Sequence, residues 1–156
     1  MYVPSGEERI VAIEPALPEC DAGAPMPTVV AHEGRGAVAY WTADDPDRRV
    51  AVATFRFVSG VLFGSPNDEA FNGHPLFEAG LRWYTFVEVL NSQWIAALER
   101  QNRVHRQHDP ARFAGLRHFI LPFHDTTFEC VASEVHGRLV DAAGPRAALV
   151  ATLLEA

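Results

Sequence analysis

The sequence predicts an α+β fold: a curved, mostly antiparallel sheet of about six or seven strands, with a partly open barrel as one form of it, packed on one main helix and a C-terminal helix. Apolar and polar residues alternate in several short segments, as in strands that bury one face. Short turns join these segments, whereas parallel strands need long crossover helices. Only two segments carry the capping and apolar spacing of a full helix.

The composition predicts one globular domain that spans residues 1–156. The chain is long enough to bury a core, and 48% of its residues are hydrophobic while 21% are charged. Residues 1–27 hold five prolines around one short apolar run at 10–13. We therefore expect a loop-rich N-terminal segment with a single edge strand.

Further strands are predicted downstream, each ending at a turn signal. The glycines at 33–36 and the Asp and Pro residues at 44–49 both favour turns. The predicted strands cover residues 28–33, 37–42, 50–59 and 82–90, followed by a hairpin at 117–134.

The main helix is predicted from Asn91 or Ser92 to about Val104, because Asn and Ser are favoured N-caps. Its buried stripe comprises Trp94, Ile95 and Leu98. A C-terminal helix begins at Pro145, since proline suits the first helical position.

Several classes of protein are excluded by charge and hydropathy. The net charge is −7 and the pI is near 5.4, so the chain does not attract nucleic acid in general. No apolar run reaches the roughly 18 residues of a membrane span. No secretory signal is visible at the N-terminus, so the predicted location is cytoplasmic.

Several catalytic motifs are excluded as well. All 13 basic residues are arginine, which rules out a lysine Schiff base, a P-loop lysine and a Ser-x-x-Lys pair. Two cysteines are too few for a disulfide framework or a cysteine-rich zinc site. The chain also lacks the G-x-S-x-G and H-E-x-x-H motifs.

The hairpin at 117–134 separates its residues into two faces. With Asp125 and Thr126 as a two-residue loop, Phe123 faces Phe128, and His124 becomes a diagonal neighbour of Glu129. The apolar face then comprises Phe119, Leu121, Phe123, Phe128, Cys130 and Ala132. The polar face comprises His118, His124, Thr127, Glu129 and Ser133.

The polar face is the candidate catalytic site, with His124, Glu129 and His118 as its acid–base residues. A carboxylate beside a histidine fixes the tautomer of the ring and makes it more basic, which suits proton transfer near neutral pH. We expect the segment 64–81 to fold over this face, with a helix of one or two turns near its start. The candidate substrate-binding residues are His74, Asp68, Asn67, Thr127 and Trp83.

The leading hypothesis is a small enzyme that uses this His/Glu site on a small-molecule substrate, with lyase, isomerase and hydrolase chemistry all open. Two histidines and a carboxylate also suit a divalent metal, so a metal-assisted form is a second version of this hypothesis, and the cofactor is left open. The expected partner is a small-molecule ligand, with a homodimer as an option and with nucleic acid and membrane excluded.

Two other functions are left open by the sequence. A non-catalytic binding or regulatory module, acting as the acidic partner of another protein, agrees with the net charge of −7. The arginines between residues 100 and 117 offer an anion-binding patch, in which Arg112 and Arg117 would hold a phosphate or nucleotide.

Overall fold

A computed structural model describes residues 2–43 and 45–154. Within these ranges the chain forms two antiparallel sheets and a few short helices. The strands are β1 Arg9–Ala12, β2 Thr28–His32, β3 Gly34–Trp41, β4 Val50–Val58, β5 Gly60–Gly64, β6 Val87–Leu90, β7 Arg117–Pro122, β8 Thr127–Ala132 and β9 Glu134–Val140. The helices are a 3₁₀ helix Asp68–Gly73, α1 Gln93–Asn102, α2 Ala111–Ala114 and α3 Pro145–Leu154.

The two sheets share one bent ribbon. The first sheet has the order β1-β6-β7-β8-β5, and the second has the order β2-β3-β4-β9. Ser59 joins β4 to β5, and Ser133 joins β8 to β9, so the paired strands pass together from one sheet into the other. At the bend, Ser59 N–H donates to the Val131 carbonyl over 2.8 Å and Ser133 N–H donates to the Arg56 carbonyl over 3.1 Å. The predicted α+β fold with a curved antiparallel sheet is confirmed, and the described strands form no closed barrel.

The main core lies between the two sheets. The ring of Phe55 on β4 lies 5.6 Å from that of Phe119 on β7 and 5.3 Å from that of Phe128 on β8. All six residues of the predicted apolar hairpin face are at most 1% exposed. The amphipathic pattern of the hairpin therefore identified the core face correctly.

The register of the hairpin differs from the predicted one by two residues. Pro122 is paired with Thr127, and the loop is the four-residue segment 123–126, closed by a 2.8 Å hydrogen bond from Phe123 N–H to the Thr126 carbonyl. Two-residue hairpin loops need a positive φ that Thr tolerates poorly, so the longer loop is preferred. Because side chains alternate with period two, a shift of two leaves both faces intact.

One predicted strand is shorter than expected, whereas the short helix expected in the segment 64–81 is present. The strand expected over 82–90 begins only at Val87, because Tyr84 has a φ of 55° and breaks the extended backbone. The segment after Ser65 forms a 3₁₀ helix capped by Asn67, whose side chain accepts the Ala70 N–H over 3.2 Å.

The helices lie against different parts of the sheets. Helix α3 begins at Pro145 as predicted, and Ala148 and Leu149 pack with residues of β3 and β4. Helix α1 is capped by Ser92, and its predicted stripe is half-buried. Among the described residues, no helix has both the length and the apolar content that crossing a membrane demands.

Candidate functional site

Five polar side chains from distant parts of the chain meet in one buried network, which we call the Glu129 cluster. Tyr2 precedes β1, His74 ends the 3₁₀ helix, Ser92 caps α1, His118 is on β7 and Glu129 is on β8. Each of the five residues is at most 8% exposed. Buried polar groups are costly unless they are paired, so the hydrogen bonds of this cluster decide what it can do.

Glu129 accepts three hydrogen bonds. Its Oε2 lies 2.8 Å from Tyr2 Oη and 3.0 Å from His118 Nε2, and its Oε1 lies 3.3 Å from His74 Nε2. Burial by itself raises the pKa of Glu129, but the hydrogen bonds from His118 and His74, the positive charge of a protonated His118 and the hydrogen bond from Tyr2 together lower it to about 2. Glu129 is therefore an anion at neutral pH despite its burial.

Tyr2 stays protonated in this position. Burial raises the pKa of its hydroxyl, and the negative charge of Glu129 raises it further. The phenol is thus held as a hydrogen-bond donor to the carboxylate.

The two histidines are held in defined tautomers. Leu76 N–H donates to His74 Nδ1 over 3.1 Å, so this nitrogen is unprotonated and Nε2 carries the proton that faces Glu129. In His118 the proton on Nε2 likewise points at the carboxylate, which leaves Nδ1 of the neutral ring as an acceptor. Both rings therefore donate to the anion.

Ser92 completes a chain of hydrogen bonds through His118. Its Oγ lies 2.9 Å from His118 Nδ1 and accepts the Ile95 N–H over 3.3 Å. When the His118 ring is neutral, Ser92 donates its one hydroxyl proton to Nδ1 while its oxygen caps the helix. The result is a relay from Ser92 through His118 to Glu129.

A surface cleft of about 590 Å³ lies next to this relay. Ser92 borders it, together with Asn91, Ile95, Glu99 and Phe113. Of the Glu129 cluster, Ser92 is the member that borders this cleft.

Aromatic rings frame the cluster. The Tyr2 ring stacks on Trp94 at 5.9 Å between centroids with an interplanar angle of 12°, and both rings meet the edge of His118, at 5.3 Å and 5.2 Å. A Cβ added at Gly60 on β5 would lie 2.7 Å from Trp94 Cζ2, so only glycine leaves room for this indole.

His124 lies outside the Glu129 cluster, and the expected pair with Glu129 does not form. The register shift places His124 in the hairpin loop, while Glu129 lies opposite Ile120 on the neighbouring strand. His124 Nδ1 lies 3.6 Å from Asp68 Oδ2 and 3.3 Å from Asp125 Oδ1, and 40% of its side chain is exposed.

Tyr84 joins His124, Asp68 and Asp125 in a second and more exposed group, the Asp68 cluster. Its hydroxyl donates to Asp68 Oδ2 over 2.6 Å, which raises the pKa of Tyr84 to about 12 and lowers that of Asp68. The positive φ of Tyr84 is unfavourable for an aromatic residue. Within the described chain, His124 Nδ1 and Asp68 Oδ1 are buried without a hydrogen-bond partner, so this cluster is incompletely paired.

The remaining predicted site residues have local structural contacts. Asn67 caps the 3₁₀ helix, Thr127 Oγ1 donates to the Pro66 carbonyl over 2.8 Å, and Trp83 Nε1 donates to the Asp68 carbonyl over 2.8 Å. Of the predicted site residues, the structure therefore joins His118, Glu129 and His74 in the Glu129 cluster and His124 and Asp68 in the Asp68 cluster.

Sequence reasoning missed Tyr2 and Ser92 as members of the site. The sequence predicts Ser92 as a candidate helix cap. A capping position alone does not predict a contact with His118, which lies 26 positions away in the chain. Tyr2 lies in a loop-rich segment with no periodic pattern. Its place beside Glu129 depends on the tertiary fold.

The structure also bears on two other hypotheses from the sequence, the metal site and the anion-binding arginine patch. Among the described residues, no three His, Cys, Asp or Glu side chains are placed to hold one metal ion. In the arginine-rich region, Arg103 pairs with Glu99 at 2.8 Å and Arg117 pairs with Glu88, so part of its charge is neutralised.

Comparisons with known proteins give no functional information. No protein-family model matches the chain, and neither the curated proteins nor the solved structures contain a significant match.

Proposed function

We propose that the chain is an enzyme of the hydrolase type, in which Ser92 attacks a small-molecule substrate bound in the adjacent cleft. His118 acts as the general base and Glu129 holds the ring and stabilises its charged form. The observation that carries the proposal is the continuous chain from Ser92 Oγ to His118 Nδ1 at 2.9 Å and from His118 Nε2 to Glu129 Oε2 at 3.0 Å. Such a nucleophile, base and carboxylate are recognised by their geometry and not by their order in the chain.

The proton movements follow from these contacts. As Ser92 Oγ attacks an acyl carbon, its proton passes to His118 Nδ1, and the imidazolium that results remains bonded to the ionised Glu129. His118 then returns the proton to the leaving group, and water hydrolyses the acyl-serine in the same way. The Ile95 N–H at the start of α1 holds Ser92 Oγ in place beside His118, and the negative charge that develops during the attack lies on the carbonyl oxygen of the substrate.

The Asp68 cluster supports catalysis less well. His124 Nδ1 has no hydrogen-bond partner in the described chain, although carboxylate oxygens lie 3.3 and 3.6 Å away. An acid–base histidine needs an aligned partner to fix its tautomer, and His118 has one on each side.

A non-catalytic binding module is the second candidate. It is favoured by a cleft of about 900 Å³ beside α3, bordered by Met26, Trp41 and Val150, because Met26 is 65% exposed and Val150 is 55% exposed. On this alternative the Glu129 cluster stabilises the fold and Ser92 is only a helix cap. A homodimer and a cytoplasmic location remain predictions under either function.

Covalent labelling distinguishes the two candidates. We expect a fluorophosphonate to form one adduct at Ser92, mapped by mass spectrometry, because activated serines react with this reagent and ordinary ones do not. Ser92→Ala should abolish the adduct, His118→Gln should slow labelling by about 100-fold or more, and Ser65→Ala, at an exposed serine, should change nothing. A Ser92 that is no more reactive than Ser65 would leave the binding module as the better interpretation.

A further inference from the structure

Tyr2 is a buried residue that is followed by a mostly exposed stretch, residues 3–7. Residues 2–8, which we call the strap, precede β1, and Tyr2 is 8% exposed whereas the next residue, Val3, is 80% exposed. Gly6 follows with a positive φ of 87°. A single aromatic ring is thus inserted into the molecule ahead of a mostly exposed stretch of chain, residues 3–7.

The slot that holds this ring is built entirely by other parts of the chain. Trp94 of α1 stacks on the face of the ring, the edge of His118 on β7 lies against it, and Glu129 on β8 accepts its hydroxyl proton over 2.8 Å. Tyr2 therefore contacts an aromatic wall and a carboxylate, which is how a protein recognises a separate phenol.

The slot keeps its polar contacts when Tyr2 leaves. Glu129 still accepts hydrogen bonds from His118 at 3.0 Å and His74 at 3.3 Å. The later part of the strap is held by other contacts. Asn91 Nδ2 donates to the Glu7 carbonyl over 3.0 Å, and within the strap the carboxylate of Glu8 accepts the N–H groups of Ser5 and Gly6 at 2.9 Å. Residues 2–4 can therefore swing away while the remainder of the strap stays attached.

We propose that this slot is a binding site for small monocyclic phenols and that Tyr2 closes it in their absence. The hydroxyl of such a ligand would donate to the Oε2 atom that also accepts from His118, so the inference rests on the proposed function where it links the ligand to the Ser92 relay. A carboxylate accepts hydrogen bonds and donates none, so the ligand must carry a donor. An aryl carboxylate would be repelled by Glu129, and a hydrocarbon would leave Oε2 with one partner fewer.

The test compares p-cresol, toluene and 4-methylbenzoate in titrations of the full chain followed by NMR. Wild type should bind p-cresol in preference to both controls, with shifts at the Trp94 indole and the Val3 methyl groups as Tyr2 is displaced. Tyr2→Ala should bind p-cresol at least about tenfold more tightly, because the competing ring is gone. Tyr2→Phe retains the ring but loses the hydrogen bond to Glu129. Its affinity for p-cresol should therefore lie between that of wild type and that of Tyr2→Ala.

Two outcomes would overturn the inference. Equal binding of toluene and p-cresol to Tyr2→Ala would mean that the substitution merely leaves an apolar cavity. Absence of p-cresol binding to both wild type and Tyr2→Phe would mean that Tyr2 is a fixed part of the core, and this result does not depend on whether Tyr2→Ala folds.

Fluorophosphonate labelling separates this inference from the proposed function, because it reports on the reactivity of Ser92 and the p-cresol titration reports on the slot. Phenol binding without Ser92 labelling would contradict only the hydrolase proposal, and Ser92 labelling without phenol binding would contradict only the slot.

Discussion

Glu129 is a buried carboxylate that accepts hydrogen bonds from three side chains. Its pKa of about 2 lies below the ordinary value of 4.5, because the donors from His118, His74 and Tyr2 outweigh the effect of burial. Because the pKa of Glu129 is lower in the folded state than in the unfolded state, its carboxylate stabilises the fold at pH values above the unfolded-state pKa. That stabilisation is lost as the pH falls from about 4.5 towards 2.

The substitution Glu129→Gln tests whether the ionised carboxylate of Glu129 stabilises the fold. At pH 7 we expect the variant to be less stable than wild type by about 3 kcal/mol, the equivalent of a shift of between two and three pKa units. The difference should shrink as the pH falls through the range of 4.5 to 2, since the wild-type carboxylate becomes protonated there. Urea unfolding at a series of pH values measures it.

Glu69→Gln is the matched control, because Glu69 is an exposed glutamate. Its stability should follow that of wild type at every pH. A difference between Glu129→Gln and wild type that stays constant from pH 7 to pH 2 would contradict the ionised state of Glu129.

At the residue scale, the sequence identified part of the site. The positions of His118 and Glu129 on one hairpin face followed from alternation alone, because the face of a residue survives a two-residue error in register. The same alternation predicts His124 on that face, but His124 lies two positions beyond Pro122, the last paired residue of β7, where alternation no longer applies. Ser92 and Tyr2 approach from other elements, and no pattern along the chain specifies those contacts.

At the element scale, α1 is joined to the first sheet through Trp94. The indole lies over Gly60 of β5 and also stacks on Tyr2, so the two contacts place the start of α1, and with it Ser92, above His118. The position of the relay therefore depends on the close approach that glycine allows at residue 60.

Gly60→Ala should disturb this arrangement. The added methyl group would lie 2.7 Å from Trp94 Cζ2, so the indole must move, and we expect a loss of about 1–3 kcal/mol in unfolding free energy. The near-ultraviolet circular dichroism of the Tyr2–Trp94 stack should weaken as well.

Gly115→Ala provides the comparison for this substitution. Nothing lies within 4 Å of a Cβ at residue 115, so stability and circular dichroism should both remain close to those of wild type. Equal behaviour of the two alanine variants would show that Trp94 is not confined by Gly60.

The start of a helix can be predicted from the sequence where it depends on residues within one helical turn. Proline at the start of α3 and serine at the cap of α1 act within one helical turn, and both helices begin where these residues predict. The strand expected from Arg82 fails at Tyr84, whose hydroxyl is held by Asp68 in a conformation that alternation does not reveal.

At the scale of the whole molecule, two sheets are connected by a ribbon that bends at Ser59 and Ser133. The sequence predicted the curvature and the antiparallel pairing, because short turns and alternating strands determine both. It did not predict that the strands divide into sheets of five and four, since the bend depends on long-range packing of Phe55 against Phe119 and Phe128.

This architecture places the three relay residues side by side: Ser92 at the start of α1, His118 on β7 and Glu129 on β8. Its central requirement is that the neutral His118 ring carries its proton on Nε2, facing Glu129, and presents a bare Nδ1 to the Ser92 hydroxyl. The opposite tautomer would point a donor at Ser92, and His118 could not accept the serine proton.

Long-range proton–nitrogen NMR of the His118 ring tests that requirement most directly. At a pH where the ring is neutral, we expect the nitrogen shifts of a protonated Nε2 and an unprotonated Nδ1. Both shifts should be retained in Ser65→Ala, and the Nδ1 shift should change in Ser92→Ala because its hydrogen-bond donor is lost. A protonated Nδ1 in the neutral ring, or an Nδ1 shift that is the same with and without the Ser92 hydroxyl, would contradict the relay.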